Sequence, residues 1–365
     1  MSGPWLPPTT CPRRIGNTRW RSPTTARGSR PPSRARVCSV RVMSTPQLIF
    51  SGGSGRSGTT VLAKLLRTHP QVRASRPLEI RCLTDSAGLL DVCLGPGPDA
   101  PFGVRALTRS RPLLFAEFRR RLRGRWWERT NRLGKVSGLH RGITTEQRET
   151  LLRELQRSVG RDSREAGRSF LVELARMQGL DAERYWVDTS PPNIAHADRI
   201  HRLVPQALFV HMVRDGRDTM ASVMNEPWGP SDPEAAATWW SDRMVAAHRA
   251  LTDVPPDAVL TISLESLVVT ERGEEYRRLL EFLDLPDRPR MRRYFAEQMP
   301  AERVRPGSWR ERVADPEQLE RAYRAAAQRL EALGVPTHEF EPPTPHANPP
   351  ESGGSASLPP ESGRN

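Results

Sequence analysis

Leu48-Ile49-Phe50-Ser51-Gly52-Gly53-Ser54-Gly55-Arg56-Ser57-Gly58-Thr59-Thr60-Val61-Leu62 reads as a short apolar strand, a glycine-rich turn carrying one arginine, and the start of a helix. Glycine in such a turn lets the backbone take positive φ and approach a ligand closely. The first N–H groups of the helix have no intrahelical partner and point at whatever anion lies in the turn. The stretch is therefore an anion cradle at the end of a strand. A second unit of the same form lies far downstream, where Ala207-Leu208-Phe209-Val210-His211-Met212-Val213 reads as a buried parallel strand and runs into Arg214-Asp215-Gly216-Arg217-Asp218-Thr219-Met220-Ala221-Ser222.

Gly53 to Thr60 matches the nucleoside-triphosphate loop G-x-x-x-x-G-K-[ST] except at Thr59, which stands where the phosphate-reaching lysine belongs. Loss of that charge removes the grip on the β- and γ-phosphates, while Arg56 supplies a cation of different geometry. The loop Arg56-Ser57-Gly58-Thr59-Thr60 resembles the 5′-phosphosulfate loop of sulfotransferases that use 3′-phosphoadenosine 5′-phosphosulfate (PAPS), and the downstream unit resembles their 3′-phosphate site. The resemblance is to bacterial sulfotransferases related to the tyrosylprotein enzymes. It implies cofactor contacts from Gly55, Arg56, Ser57, Gly58, Thr59 and Thr60. It also implies that Arg214, at the strand's end, and Ser222, eight residues on, clamp the 3′-phosphate by charge-assisted hydrogen bonds.

Three further segments are similar to that family. Tyr185-Trp186-Val187-Asp188-Thr189-Ser190-Pro191-Pro192-Asn193 resembles the strand and turn beside the active site, with Thr189 where many relatives carry lysine. Val259 to Leu267 resembles the last strand running into an acidic helix start, and Tyr276 to Leu285 an amphipathic helix with a Leu-Pro stop. Arg305-Pro306-Gly307-Ser308-Trp309-Arg310 is similar to a late loop that closes over the nucleotide, which adds Trp309 and Arg310 as cofactor contacts.

Sulfuryl transfer needs in-line positioning, neutralisation of charge on the leaving phosphate, and a base for the attacking hydroxyl. It requires no metal, because the migrating group carries one negative charge. Arg56 and the Ser57–Thr60 groups stabilise the bridging oxygen as its bond to sulfur breaks, and the product is adenosine 3′,5′-bisphosphate (PAP). The family places its base, a glutamate, after a His-Pro step. Here Thr68-His69-Pro70 is followed by Glu79, two residues later than in the tyrosylprotein enzymes. Glu79 is the candidate base; pairing with Arg76 or Arg81 is its plain structural reading, and His69 and His140 are the alternative bases. His211, mid-strand, reads as a hydrogen-bonded core residue. Two other functions stay in view: a P-loop nucleotide-binding kinase, which lacks its lysine here, and a PAP-binding protein without a base.

Composition sets the frame. Residues 1–45 hold nine arginines and no acid, so +9 of the +14 net charge lies there and +5 is spread over the remaining 320 residues. That segment reads as a disordered or mis-assigned extension ahead of Met43, and its two tryptophans, Trp5 and Trp20, do not make a nucleic-acid-binding pattern. Residues 341–365, rich in Pro, Ser and Gly, read as a disordered tail. Cys11, Cys38, Cys82 and Cys93 show neither metal spacing nor a disulfide framework, which fits a reducing cytoplasm. No apolar run approaches the ~20 residues of a membrane span.

Between these ends, residues 46–340 read as one α/β domain: a P-loop-like three-layer fold with a central parallel sheet and a helical insertion at about 81–182. Strands are predicted near 47–51, 185–189, 207–213 and 258–263, and helices near 59–68, 112–123, 146–158, 164–178, 193–203, 217–225, 233–252, 273–283 and 317–333. The acceptor, a hydroxyl-bearing small molecule, peptide or glycan, is expected to bind at the insertion, because ligands of open α/β sheets bind at the strands' carboxyl edge.

Overall fold

The computed structural model describes residues 46–97, 101–103, 110–130, 134, 136–180 and 184–340. The N-terminal extension with Met43, Cys11 and Cys38, and the C-terminal tail, lie outside the described residues. Seven strands are described: β1 (Gln47–Gly52), β2 (Val72–Ala74), β3 (Arg129–Thr130), β4 (Val136–Ser137), β5 (Tyr185–Asp188), β6 (Leu208–Val213) and β7 (Val259–Ser263). Five of them form a parallel sheet in the order β2-β5-β1-β6-β7, and β3 and β4 pair as a small antiparallel ribbon. Described helices of eight or more residues are α1 (Thr59–Leu66), α2 (Arg111–Arg123), α3 (Thr145–Ser158), α4 (Ser163–Met177), α5 (Gly216–Met224), α6 (Pro233–Thr252), α7 (Arg272–Phe282), α8 (Pro289–Gln298) and α9 (Pro316–Ala332).

Strand side chains alternate between two apolar layers, as a sheet covered on both faces demands. Leu48, Phe50, Trp186 and Phe209 pack with α2, α3 and α4 of the insertion on one face. Ile49, Val187, Val210, Met212 and Ile262 pack with α1, α7 and α8 on the other. A third cluster joins α5, α6 and α9 around Trp240 and Tyr323. All four predicted strands of the main sheet and the nine predicted helices are present, the 193–203 helix as a 3₁₀ turn at Pro191–His196 followed by Ala197–Leu203.

Several described elements were not expected from the sequence, among them the β3–β4 ribbon, β2 and α8. β2 is a three-residue edge strand between two proline-containing turns, too short for a period-2 pattern to register. In α8 the arginines conceal an amphipathic face whose buried residues are Met291 and Phe295, four apart, with Pro289 at the first turn.

β1 and β6 are neighbours, with Ser51 opposite Val210 and Gly52 opposite His211. The helix after β1 packs on one face of the sheet, whereas α5, after β6, joins the cluster of α6 and α9. Outside the strands' carboxyl ends, where such divergence occurs, is where ligands of open α/β sheets bind.

Candidate functional site

The turn after β1 is shaped by close backbone approach. A Cβ on Gly53 would lie 2.3 Å from the Met212 carbonyl oxygen and 2.4 Å from Ser57 Oγ, so only glycine fits between β1 and β6. Gly55, Arg56 and Gly58 take φ of 89°, 61° and 96°, and Gly58 leads directly into α1 at Thr59. This is the geometry in which successive N–H groups converge on an anion.

The two predicted halves of the site meet here. Arg214, at the end of β6, donates from Nη1 to the Arg56 carbonyl (3.2 Å), and Arg56 Nε donates to Ser222 Oγ (3.0 Å). Arg56 also pairs with Glu226 at 3.0 Å, so its side chain reaches α5 and the residues that follow it. Arg214 is buried; its Nη2 lies 3.3 Å from Asp218 Oδ2 and its Nε 3.9 Å from Glu265 Oε1. Yet neither nitrogen makes a hydrogen bond, and Ser57 Oγ, Asp218 Oδ1 and Thr219 Oγ1 are also buried without one. Buried polar atoms are ordinarily satisfied. Four of these five atoms, Ser57 Oγ, Arg214 Nε and Nη2, and Thr219 Oγ1, can donate and fit an anionic ligand as their partner, whereas the Asp218 carboxylate oxygen can only accept.

The late loop reaches the same place. Gly307 N–H donates to Asp218 Oδ2 (2.7 Å), and burial followed by the Arg214 charge lowers the Arg312 guanidinium pKa. Trp309 is 2 % exposed and packs in the α5–α6–α9 cluster, flanked by the guanidinium groups of Arg217 at 5.4 Å and Arg310 at 4.1 Å. Its ring anchors the loop to the core, and Arg310 is the exposed member of the pair. Beside the turn stands half-buried Trp239, 3.3 Å from where a Cβ on Gly55 would sit, with exposed Trp228 6.3 Å from it. Sequence reasoning passed over this aromatic border; the Trp239-Trp240 pair on a helix was its signal, since adjacent helical positions face different ways and only Trp240 is core.

Glu79 is exposed and lines a cleft of about 1210 Å³ that extends from Thr60, in the first turn of α1, to the insertion and α8. Asp188, at the end of β5, organises its backbone: the carboxylate accepts from Ile80 N–H (2.9 Å), Asn193 Nδ2 (2.7 Å) and Ser190 Oγ (3.2 Å). Burial pushes this carboxyl up to about 6. Thr189 fastens the same segment, its N–H and hydroxyl both donating to the Leu78 carbonyl (3.0 and 3.1 Å).

The histidines are placed differently. His69 is buried, with Nε2 3.0 Å from the Pro286 carbonyl and Nδ1 accepting from Gln71 N–H (3.1 Å), so both ring nitrogens are engaged in structure. His140 Nδ1 lies 2.8 Å from the Trp127 carbonyl oxygen. His211 is buried mid-strand and burial lowers it to about 4, but its Nε2 lacks the hydrogen bond expected of it.

Among the described residues nine arginines line the cleft against two glutamates, Glu79 and Glu297. That excess of seven equals the whole excess of residues 46–340, which hold 46 Lys and Arg against 39 Asp and Glu. Arg67, Arg76, Arg290 and Arg293 have no carboxylate partner among the described residues. Burial, then the neighbouring Arg81 charge, lowers the Arg129 pKa, a sign of crowded cations. Among the described residues no group of three or more His, Cys, Asp and Glu is arranged to hold a metal ion, and no helix is long and apolar enough to cross a membrane.

A sequence profile described as the sulfotransferase family matches residues 103–289, just over half of the chain; the match includes Asp188 and Arg214–Ser222 and begins beyond the Gly53–Thr60 turn. Protein-tyrosine sulfotransferase of Drosophila melanogaster is 24% identical over 245 residues, 66% of this chain; the chain spans 38% of that protein's length. Among solved structures, a sulfotransferase domain from the curacin biosynthetic pathway covers 78% of this chain and 98% of its own at 15% identity and a TM-score of 0.47. Sulfotransferase STF9 from Mycobacterium avium covers 81% of this chain and 79% of its own, at 16% identity and a TM-score of 0.43.

Proposed function

The chain belongs to the sulfotransferase family, and from that premise we propose that it transfers a sulfuryl group from PAPS to a hydroxyl acceptor by direct in-line displacement. The observation that carries the reading is the set of buried, unsatisfied donors on Arg214 and Ser57, in the segments that follow the neighbouring strands β6 and β1. PAPS, when bound, supplies an activated sulfuryl group on a phosphate leaving group. The N–H groups of Gly55–Thr60 hold the 5′ side and take up charge on the departing phosphate oxygen. Arg214 and Ser222 hold the 3′-phosphate, and Arg56, already on Ser222, exchanges its contact with Glu226 for the donor. Arg310 covers the donor from the late loop while buried Trp309 positions that loop.

On the acceptor side, Glu79 takes the hydroxyl proton as the oxygen bonds to sulfur, and the sulfur–oxygen bond to the phosphate breaks. Asp188 and Thr189 set the position of Glu79 through the 78–80 backbone. The insertion at about 81–182 walls the acceptor cleft, and its surplus of arginines selects acceptors that carry negative charge beside the reacting hydroxyl. A tyrosine within an acidic peptide is one such acceptor, in keeping with the name of the Drosophila relative. We place the protein in a bacterial cytoplasm, where the buried thiols of Cys82 and Cys93 stay reduced.

The reading is tested by ligand stabilisation and by transfer of labelled sulfate from PAPS to a panel of hydroxyl acceptors. PAP at about 100 times its Kd should raise stability by about 2.7 kcal/mol. Stabilisation by ATP with Mg²⁺ and not by PAP would favour the kinase reading. PAP binding without transfer to any acceptor would favour a non-catalytic binder.

A further inference from the structure

Beyond α9 the chain turns back and lies across the ends of β6 and β7. Phe340 N–H donates to Asp215 Oδ2 (2.7 Å), and Arg217 Nη2 donates to the Phe340 carbonyl (3.2 Å). His338 Nε2 sits 2.6 Å from Ser263 Oγ and 3.5 Å from Glu265 Oε2. Ser263 Oγ also donates to that same Glu265 oxygen (3.1 Å). The other oxygen, Oε1, accepts from Asp215 N–H (3.0 Å) and lies 3.9 Å from Arg214 Nε. One buried carboxylate thus faces the guanidinium of Arg214 on one side and the imidazole of His338 on the other.

We propose that Glu265 and His338 are positioning residues that make the donor affinity of Arg214 depend on pH. A protonated His338 shares the Glu265 charge and leaves more of the Arg214 charge for an anion; a neutral His338 returns that carboxylate to Arg214. The inference rests on the reading of Arg214 as the 3′-phosphate clamp. The acidic groups facing the imidazole are Glu265, Asp215 and Glu271. Asp215 is held by Arg217 (2.6 Å), which leaves Glu265 as the carboxylate that answers to His338. The neighbouring Glu265 carboxylate, opposed by burial, holds the imidazole above its ordinary value. At 32% side-chain exposure His338 exchanges protons with solvent, whereas Glu265 at 1% does not need to.

The experiment measures the Kd of PAP by calorimetry from pH 6 to 8.5 for the natural chain, His338→Gln and Glu265→Gln, and follows the His338 ring resonance through the same range with and without PAP. The ligand's own ionisation is common to all three proteins and cancels in the comparison. Relative to His338→Gln, the natural chain should bind PAP about three- to tenfold more tightly at the acid end than at the alkaline end. Glu265→Gln should lose most of that difference and bind more tightly at alkaline pH. By reciprocity, PAP should raise the His338 pKa in the unaltered protein, a readout that does not depend on any variant folding. Identical pH dependence in the natural chain and His338→Gln, or a His338 titration indifferent to PAP, overturns the inference while the donor site stands. Failure of the natural chain to bind PAP at any pH removes the donor site and this inference with it.

Discussion

Arg214→Ala is the substitution whose consequences the structure specifies most fully. The guanidinium is buried, its Nε and Nη2 make no hydrogen bond within the protein, and it lies between Asp218 at 3.3 Å and Glu265 at 3.9 Å. A charged hydrogen bond contributes about 1.5–3 kcal/mol, so loss of this clamp should weaken PAP binding about 10- to 150-fold. The substitution also leaves the buried Asp218 carboxylate without its cation and Glu265 with His338 alone, which costs about 3–5 kcal/mol of folding stability and lowers Tm by several degrees. Binding must therefore be measured well below the variant's transition, by calorimetry, against both PAP and adenosine 5′-monophosphate. The monophosphate has no 3′-phosphate, and its affinity should change little. Equal losses for the two ligands would refute the assignment of Arg214 to the 3′ side, and unchanged PAP affinity would refute the clamp itself.

Other substitutions probe the rest of the site. Arg56→Ala should lower kcat about 10²–10³-fold with a smaller effect on donor affinity, and an unaltered kcat would remove it from the transition state. Glu79→Gln should leave PAP binding intact and reduce turnover about 10²–10⁴-fold, less for an acidic phenol than for an aliphatic alcohol; full activity would send the search for the base to His140. Burial holds the Asp188 carboxyl up near about 6, so between about pH 4 and 6 the folded chain binds a proton that the unfolded chain has released. Stability should fall by up to about 3 kcal/mol as pH rises through that window, and a urea-midpoint series on Asp188→Asn should show the limb flattened. Arg290→Ala with Arg293→Ala should raise KM for an anionic acceptor severalfold and spare a neutral one; equal effects on both would mean that cleft charge does not select acceptors.

Much of this molecule is visible along the chain because its decisive features are local. The turn from Gly53 to Thr60 and the passage from Val213 through Ser222 each carry their own backbone requirements and helix start, and Arg214 and Ser222 were expected to converge. Short or disguised elements escaped: β2 spans three residues, and the apolar face of α8 is hidden among arginines. Trp309 shows a different limit. Its motif marks a loop, but whether an aromatic ring in that loop meets a ligand or the core depends on α5, α6 and α9, and here it is core.

By itself the sequence determined the α/β architecture and the two strand-end turns, because strand periodicity, glycine placement and helix starts are encoded within a dozen residues. Only the tertiary structure decided what those turns confront. It set Arg56 against Ser222 and Glu226, engaged both nitrogens of His69, and bound the Glu79 segment to Asp188. It also brought His338, from beyond the last helix, to a carboxylate that faces Arg214. Those relations join residues far apart in the chain, and long-range contacts of this kind follow from how the layers pack, which no local pattern records.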